Sequence, residues 1–374
     1  MYLSELTLKD FRNYKDVKIS FSPQINVLIG ENAQGKTNLL EAIYVLAMTR
    51  SHRTSNEREL LTFKKEQATI CGTVERKLGK LKLELMLSKK GKKAKVNHLE
   101  QARLSQYIGQ MNVILFAPED LSLVKGAPAV RRKFVNMEFG QIDPHYLHNL
   151  SQYRAILKQR NRYLKQLQAG KATDLVLLGV LSDQLAAFGS EIIARRLKFL
   201  AKLEKYAQDI QKSITCSKEE LTFEYESSIA EVAAKTVDEL YGTLRQCFAD
   251  NNKKEIFQGT TLYGPHRDDV RFLINAKNVQ TYGSQGQQRT TALAVKLAEI
   301  ELMKEETGEY PILLLDDVLS ELDGERQTHL LKTIQNKVQT FLTTPSLSEI
   351  TRQLIDDPKI FRIAHGKIEL REEN

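Results

Sequence analysis

The chain opens on alternation. Between Leu3 and Phe21 apolar and polar positions trade places, with Leu6, Leu8, Val17, Ile19 and Phe21 as the apolar members, the pattern of strands with one buried face. Ile25 to Ile29 is a short apolar strand, and beyond Gly35 the period changes. Leu39, Leu40, Ile43, Tyr44 and Ala47 share one helical face, so a helix is predicted there. Strand spacing returns from Ala68 to Val96 through Thr69-Ile70-Cys71 and Leu81, Leu83, Leu85 and Leu87, with Ser88 to Lys93 as a hairpin turn. Val113 to Phe116 is a further buried strand, stopped by Pro118.

After Pro144 no proline occurs until Pro265, and Leu181, Leu185, Phe188 and Ile192, then Ile193, Leu197 and Leu200, keep helical spacing. A helical region of roughly a hundred residues follows, with extended structure expected near Leu221 to Tyr225. Past Gly264-Pro265 come a strand at Val270 to Ile274, a helix from Gln287 to Glu306, and strands at Ile312 to Leu315 and Thr340 to Leu342. A hairpin from Phe361 to Leu370, turning at Gly366, closes the pattern. Strands, then helices, then strands imply an α/β lobe built from both ends of the chain, with a mainly helical lobe inserted. The expected division is 1–118 plus 305–374 for the first lobe and 119–304 for the second.

Composition changes this picture little. In 374 residues, 41% are hydrophobic and 27% charged, as in ordinary globular proteins. Lys plus Arg (55) exceeds Asp plus Glu (47), and the net charge of +8 favours a polyanionic partner. Cys71, Cys216 and Cys247 are scattered and odd in number, which excludes a disulfide framework or zinc ribbon as the organising device. The start Met-Tyr-Leu-Ser-Glu-Leu lacks a leader pattern, and the near-apolar run Leu175 to Leu181 is far short of the ~20 residues that span a bilayer. A cytoplasmic location without a membrane is expected.

The chemistry is concentrated in four stretches. Gly30-Glu31-Asn32-Ala33-Gln34-Gly35-Lys36-Thr37 fits G-x-x-x-x-G-K-[ST], with an apolar strand before it and a helix after it. Such a loop turns backbone N–H groups toward phosphate oxygens. Lys36 then neutralises the outer phosphates of ATP, and Thr37 ligates Mg2+. Leu313-Leu314-Leu315-Asp316-Asp317 delivers carboxylates to the end of a strand, Asp316 for Mg2+ and Asp317 to orient or activate water. Lys36 and Asp317 are therefore the catalytic candidates. Ser284-Gln285-Gly286-Gln287-Gln288 precedes a helix and forms a second anion-binding cap. One triphosphate rarely needs two caps in one chain, so Ser284, Gly286 and Gln287 are assigned to the γ-phosphate held by another copy. Ser320-Glu321-Leu322-Asp323 follows the acidic pair and is placed at a subunit boundary. Alone, the last two stretches read as an ordinary capping loop and a turn.

Together and in this order, the four resemble the ABC-type ATPases: Walker A, signature, Walker B and D-loop, with Asp323 in the last. Leu6-Thr7-Leu8-Lys9-Asp10-Phe11-Arg12-Asn13-Tyr14 resembles the opening of the SMC-like branch. Phe116 to Leu121, Gly264 to Asp269 and Ser284 to Arg289 resemble the RecF family, and the likeness runs from Met1 to about Gly366. It implies an ABC-type head and an ATP-dependent head-to-tail homodimer gripping single-stranded, gapped or junction DNA. It also implies RecR and RecO as partners, recombinase loading and support of the SOS response, with Arg12 and Asn13 near the base or ribose. Three departures stand out: Ser-Gln-Gly-Gln-Gln in the signature, Asp317 where many such enzymes carry Glu, and Thr343-Thr344 in place of a switch histidine. They imply a weak, slow, DNA-stimulated ATPase serving as a switch. Another DNA-maintenance ATPase of the same branch, or a transporter subunit, is the alternative.

For DNA, the segment from Arg76 to Lys95 holds nine basic residues against one acid, with Lys89, Lys90, Lys92 and Lys93 at its turn. A second cluster includes Arg154, Lys158, Arg160, Arg162, Lys165 and Lys171, and a third Arg195, Arg196, Lys198 and Lys202. Each also reads as a solvated face. His266-Arg267-Asp268-Asp269 has poor spacing for a metal and reads better as an ion-pair loop.

Overall fold

The computed structural model describes residues 1–345, 355 and 357–371. The chain forms two compact units, Met1–Asp120 with Lys296–Asn374, and Leu121–Val295. In chain order the first part contributes β1 (Tyr2–Phe11), β2 (Tyr14–Ser20), β3 (Ile25–Ile29), α1 (Lys36–Met48), β4 (Gln67–Arg76), β5 (Gly79–Ser88), β6 (Gly91–Val96), β7 (Leu99–Glu100) and β8 (Val113–Phe116). The second unit contributes β9 (Leu221–Glu226), β10 (Asp269–Ile274) and β11 (Lys277–Asn278) among its helices. The chain then returns through β12 (Ile312–Asp316), β13 (Thr340–Thr344), β14 (Lys359–Ala364) and β15 (Lys367–Arg371).

The first unit has two six-stranded sheets. One, ordered β2-β1-β4-β5-β6-β7, is antiparallel. Its alternating residues Leu6, Leu8, Ile70, Val74, Leu83 and Leu85 are fully buried, which is what the two-residue period encodes. The other, ordered β15-β14-β3-β13-β12-β8, is parallel apart from β15. Its inner strands read Ile-Asn-Val-Leu-Ile and Ile-Leu-Leu-Leu-Asp because both faces are covered.

α1 touches strands of both sheets, and eleven of its thirteen residues are buried. A helix apolar around most of its circumference belongs between layers rather than at a surface. Truncating Leu39 or Leu40 to alanine would cost about 2–5 kcal/mol. The helix therefore holds the Gly30–Thr37 loop rigidly against the carboxyl ends of β3 and β12.

The second unit is built on the helices Pro128–Ile142, Pro144–Gln168, Leu175–Ile214 and Val237–Asp250, with the sheet β11-β10-β9. Asp143 caps the second of these through His145 N at 2.8 Å, and Asp174 caps the third through Val176 N at 2.8 Å. The 40-residue helix Leu175–Ile214 is long and apolar enough by composition to cross a membrane. Half of its most apolar window is nevertheless buried in the unit, including Leu178, Leu181 and Leu185, as in the core helix of a globular fold.

Candidate nucleotide-binding site

The Gly30–Thr37 loop is secured from its own unit on two sides. Asn13 Nδ2 donates to Gln34 O at 3.2 Å, and the Tyr14 hydroxyl to Gly35 O at 2.9 Å. From the β14–β15 turn, Gly366 N donates to Gln34 O at 3.2 Å and His365 N to Gln34 Oε1 at 2.7 Å. Gly35 sits at φ +121, and a Cβ there would lie 2.6 Å from Asn13 Nδ2, so only glycine suits the position. Glu31, Asn32 and Ala33 stay exposed at the loop's tip.

Lys36 is 8% exposed, and its ammonium donates to Gly30 O and to Glu31 O, the latter at 3.1 Å. Burial lowers its pKa, while the Asp317 and Asp316 carboxylates oppose that shift. Thr37 Oγ1 donates to Asp316 Oδ1 at 3.0 Å. The same oxygen accepts the Thr343 hydroxyl at 2.9 Å, while Asp316 Oδ2 has no protein partner among the described residues. A threonine oxygen beside a half-engaged carboxylate is a hard oxygen set that fits Mg2+. Asp317 takes a left-handed φ of +53, tolerable for aspartate, and its N–H donates to Thr343 Oγ1 at 2.9 Å.

Next to the loop lies a cavity of about 680 Å3, walled by Gly30, Glu31, Gln34, Arg362, Ala364 and His365. It is large enough for a nucleotide's base and ribose. Asn13 contacts the loop through Gln34 O, whereas Arg12 turns to another partner. Its guanidinium forms a bidentate pair with the fully buried Glu41, both bonds at 2.8 Å. Burial would raise the Glu41 pKa, yet the bonds from Arg12 and Ser51 outweigh it and hold the carboxyl below its usual range. Arg12 is thus a strut for the Asn13 turn. Sequence reasoning singled out Thr343 as a departure and Tyr14 within the opening stretch, but missed the bridging role of the first and the anchoring by Tyr14, His365 and Gly366, which depend on contacts between segments.

In the second unit, Ser284 is exposed at the start of the helix Gln285–Thr307. Ser284 N donates to Gln287 Oε1 at 2.9 Å and Gln287 N to Ser284 Oγ at 3.2 Å, a reciprocal capping box. Gln287 Nε2 also holds Glu219 Oε1 at 3.0 Å. The cap explains its own sequence locally and still presents a helix N-terminus at the surface, beside half-buried Gly286. In the first unit, Asp323 caps the helix Gly324–Ile334 through Arg326 N at 3.0 Å and pairs with the Arg326 guanidinium.

The DNA candidates divide. The Lys90 and Arg162 side chains are exposed and have no protein partner among the described residues, although Lys90 N donates to Ser88 Oγ at 3.2 Å. Lys89 meets Glu66 at 2.7 Å and Lys93 meets Glu100 at 3.4 Å; both pairs are largely exposed, so screening leaves them weak. The hairpin turns at Lys89-Lys90, which places Lys92 and Lys93 on β6. Lys92 is only 11% exposed and is held by Glu57 and Thr49 O, both at 2.5 Å. Arg160 is corrected outright. It is fully buried and bonds Glu255 at 2.6 Å, Thr261 at 2.8 Å and Ser182 at 3.0 Å, so it cross-links helices instead of facing phosphates. In the third cluster Arg196 is likewise buried, and Arg195 pairs with Asp143.

The Gly264–Asp269 stretch is a structural loop. Asp268 accepts from Tyr225 at 2.6 Å and Ser228 N at 3.0 Å, and Asp269 pairs with Arg131 at 2.8 Å. No metal-ligating cluster of His, Cys, Asp and Glu occurs among the described residues.

Comparison with known proteins agrees with this geometry. The RecF/RecN/SMC N-terminal domain model matches residues 2–355. The chain is 70% identical over 368 residues to the DNA replication and repair protein RecF of Ligilactobacillus salivarius (strain UCC118), covering 98% of this chain and 97% of that one. It is 59% identical to the protein of the same name from Enterococcus faecalis (strain ATCC 700802 / V583), covering 99% of each. A solved structure of the recombination mediator protein RecF with ATP, of the RecFOR pathway, superposes with a TM-score of 0.92 at 34% identity, over 99% of this chain and 98% of that one. An Smc head bound to the C-terminal winged-helix domain of ScpA matches at a TM-score of 0.56 and 14% identity over 99% and 97%, a likeness of fold alone.

Proposed function

The chain belongs to the RecF family of the RecF/RecN/SMC group, and from that premise we propose that it is an ATP-driven DNA-binding switch of replication and recombinational repair. The observation that carries this reading is the 3.0 Å approach of Thr37 to Asp316 beside the buried Lys36 ammonium, at the carboxyl ends of β3 and β12. Lys36 neutralises phosphoryl oxygens, and loop N–H groups orient them. Thr37 and Asp316 would hold Mg2+, which supplies further neutralisation of phosphoryl charge when bound. Asp317 orients the attacking water.

Two copies meet head to tail, each ATP lying between the Lys36 loop of one and the Ser284–Gln288 cap of the other. The exposed, capped start of the helix at Gln285 supports that half-site, since its N–H groups and dipole suit an anion. Asp323 lies at the boundary between the copies. The closed dimer grips DNA at single-stranded gaps through surface cations such as Lys90 and Arg162. Hydrolysis, slow because Asp317 is a short carboxylate and Thr343 replaces a histidine, releases the strand. RecO and RecR are the partners for recombinase loading and damage signalling.

Anisotropy of a labelled gapped DNA tests this. ATP should tighten binding by about tenfold or more in the wild type and not in Lys36→Met. Equal affinity with and without ATP in the wild type contradicts the switch.

A further inference from the structure

The second unit carries a half-open cavity of about 290 Å3 that the nucleotide site does not use. Pro265 and His266 form part of its wall, with Gly264 immediately before them in the chain. Gly264, at φ +115, brings the chain so close to the Tyr153 hydroxyl that a Cβ would collide with it. The Tyr153 hydroxyl lies 2.7 Å from His266 Nδ1, and His266 Nε2 lies 3.3 Å from Thr261 O. A ring that donates to Thr261 and accepts from Tyr153 is the neutral imidazole. Burial, first among its causes, pushes the His266 pKa down to about 4, so the ring carries no charge at neutral pH.

The charge on this cavity comes from Arg132, Lys133, Arg154 and Arg196, and no carboxylate lines it. Behind the wall, Asp268 is engaged by Tyr225, Ser227 and Ser228, and Asp269 by Arg131. Arg196 is 2% exposed and its donors go to Tyr146, Tyr225, Asn136 and Pro265 O, so it lends potential but few free donors. It also fixes Asn136. Asn136 Oδ1 accepts from both Arg196 at 2.9 Å and Tyr146 at 2.8 Å, which leaves its Nδ2 donor without a protein partner among the described residues. Arg132 uses Nη1 on Asp268 O at 2.8 Å and keeps Nε and Nη2 unpaired among the described residues; Lys133 is exposed and unpaired among them as well. A concave wall of one sign with spare N–H donors concentrates anions. The same lining includes Leu150, Leu157, the Tyr153 ring and Pro265, apolar surface that a bare inorganic ion would not need.

We propose that this cavity binds a phosphorylated nucleoside, its phosphate on Arg132, Lys133 and Asn136 and its base against Leu150, Leu157 and Tyr153, taken either as a free mononucleotide or as the terminal nucleotide of a DNA strand. The site is separate from the ATP loop and is tested without ATP.

The test uses the full chain and oligonucleotides carrying a phosphate or a hydroxyl at the 5′ or 3′ end, read by fluorescence anisotropy, with thymidine monophosphate as competitor. A terminal phosphate should improve binding by about tenfold, and the Arg132→Gln/Lys133→Gln double variant should lose that preference. Ala129→Trp, which narrows the cavity's edge and alters no charge, should lose it too and decides the matter if the double variant fails to fold. Binding of a fluorescent ATP analogue should stay unchanged in both. Displacement by thymidine monophosphate assigns the free nucleotide as ligand, and an end preference that resists it assigns the strand terminus. Wild type that neither prefers phosphorylated ends nor binds the mononucleotide overturns the proposal, as does a preference that survives Ala129→Trp.

Discussion

The Thr343 hydroxyl donates a 2.9 Å hydrogen bond to Asp316 Oδ1 while accepting the backbone N–H of Asp317, also at 2.9 Å. Parallel pairing of β12 with β13 sets Asp316 directly beside Thr343, so the strand register creates the bridge. A β-branched threonine is stiff about χ1, which makes it a fixed strut. One hydroxyl therefore positions both acidic residues of the site.

Thr343→Val keeps the shape and removes both bonds, leaving the Asp317 N–H without its acceptor. ATP hydrolysis in single turnover should fall by about tenfold or more, while ATP affinity stays within about threefold and Thr343→Ser retains most activity. Unchanged turnover in Thr343→Val would reduce the threonine to a packing residue.

If Asp317 orients water, its charge matters for hydrolysis and not for holding ATP. Asp317→Asn should bind ATP normally and hydrolyse it at least about a hundredfold more slowly, and Asp317→Glu should turn over faster than wild type. Equilibrium nucleotide binding and phosphate release measured on the same samples separate the two effects. A fast Asp317→Asn variant would remove the residue from its assigned role.

The sequence made the strands and α1 legible because Leu6, Leu8, Leu83 and Leu85 alternate, while Leu39, Leu40 and Ile43 keep helical spacing. The placement of the Gly30–Thr37 loop between a strand and a helix, and of Asp316-Asp317 at a strand's end, was legible because the residue pattern and the flanking apolar runs mark it. The contacts of Thr343, Tyr14 and His365 were not, since Thr343 meets Asp316 through sheet pairing while Tyr14 and His365 reach the loop by single hydrogen bonds from other segments of the chain. The basic clusters misled for a related reason. Composition counts Arg160 and Lys92 as cations but does not show that folding places Glu255 and Glu57 against them.

Arg160 and Arg162 lie two residues apart on one helix and should behave oppositely. Arg160→Ala leaves Glu255 charged and unpaired in the interior, at a cost of about 3–5 kcal/mol in chemical denaturation. Arg162→Ala should cost less than about 0.5 kcal/mol and lower the salt slope of DNA binding by about 1. Equal stability losses in the two variants would contradict the buried-pair assignment.

His266 makes stability fall in acid. Its folded pKa of about 4 lies below the ordinary 6.5, so its contribution is fully present above 6.5 and is lost as pH falls toward 4. Within that window the unfolded chain binds the extra proton, and the loss amounts to about 3 kcal/mol. Denaturation curves at several pH values should show His266→Gln with a shallower decline than wild type between pH 6.5 and 4. Parallel declines would mean that other groups set the acid limit.

If a second copy of the chain completes the ATP site, sedimentation velocity shows it most directly. Wild type should be monomeric without nucleotide and dimeric with ATP and Mg2+. Lys36→Met should stay monomeric because it loses the phosphate contact. Ser284→Arg should also stay monomeric while still binding ATP. A Ser284→Arg chain that dimerises with ATP as wild type does would contradict the shared site.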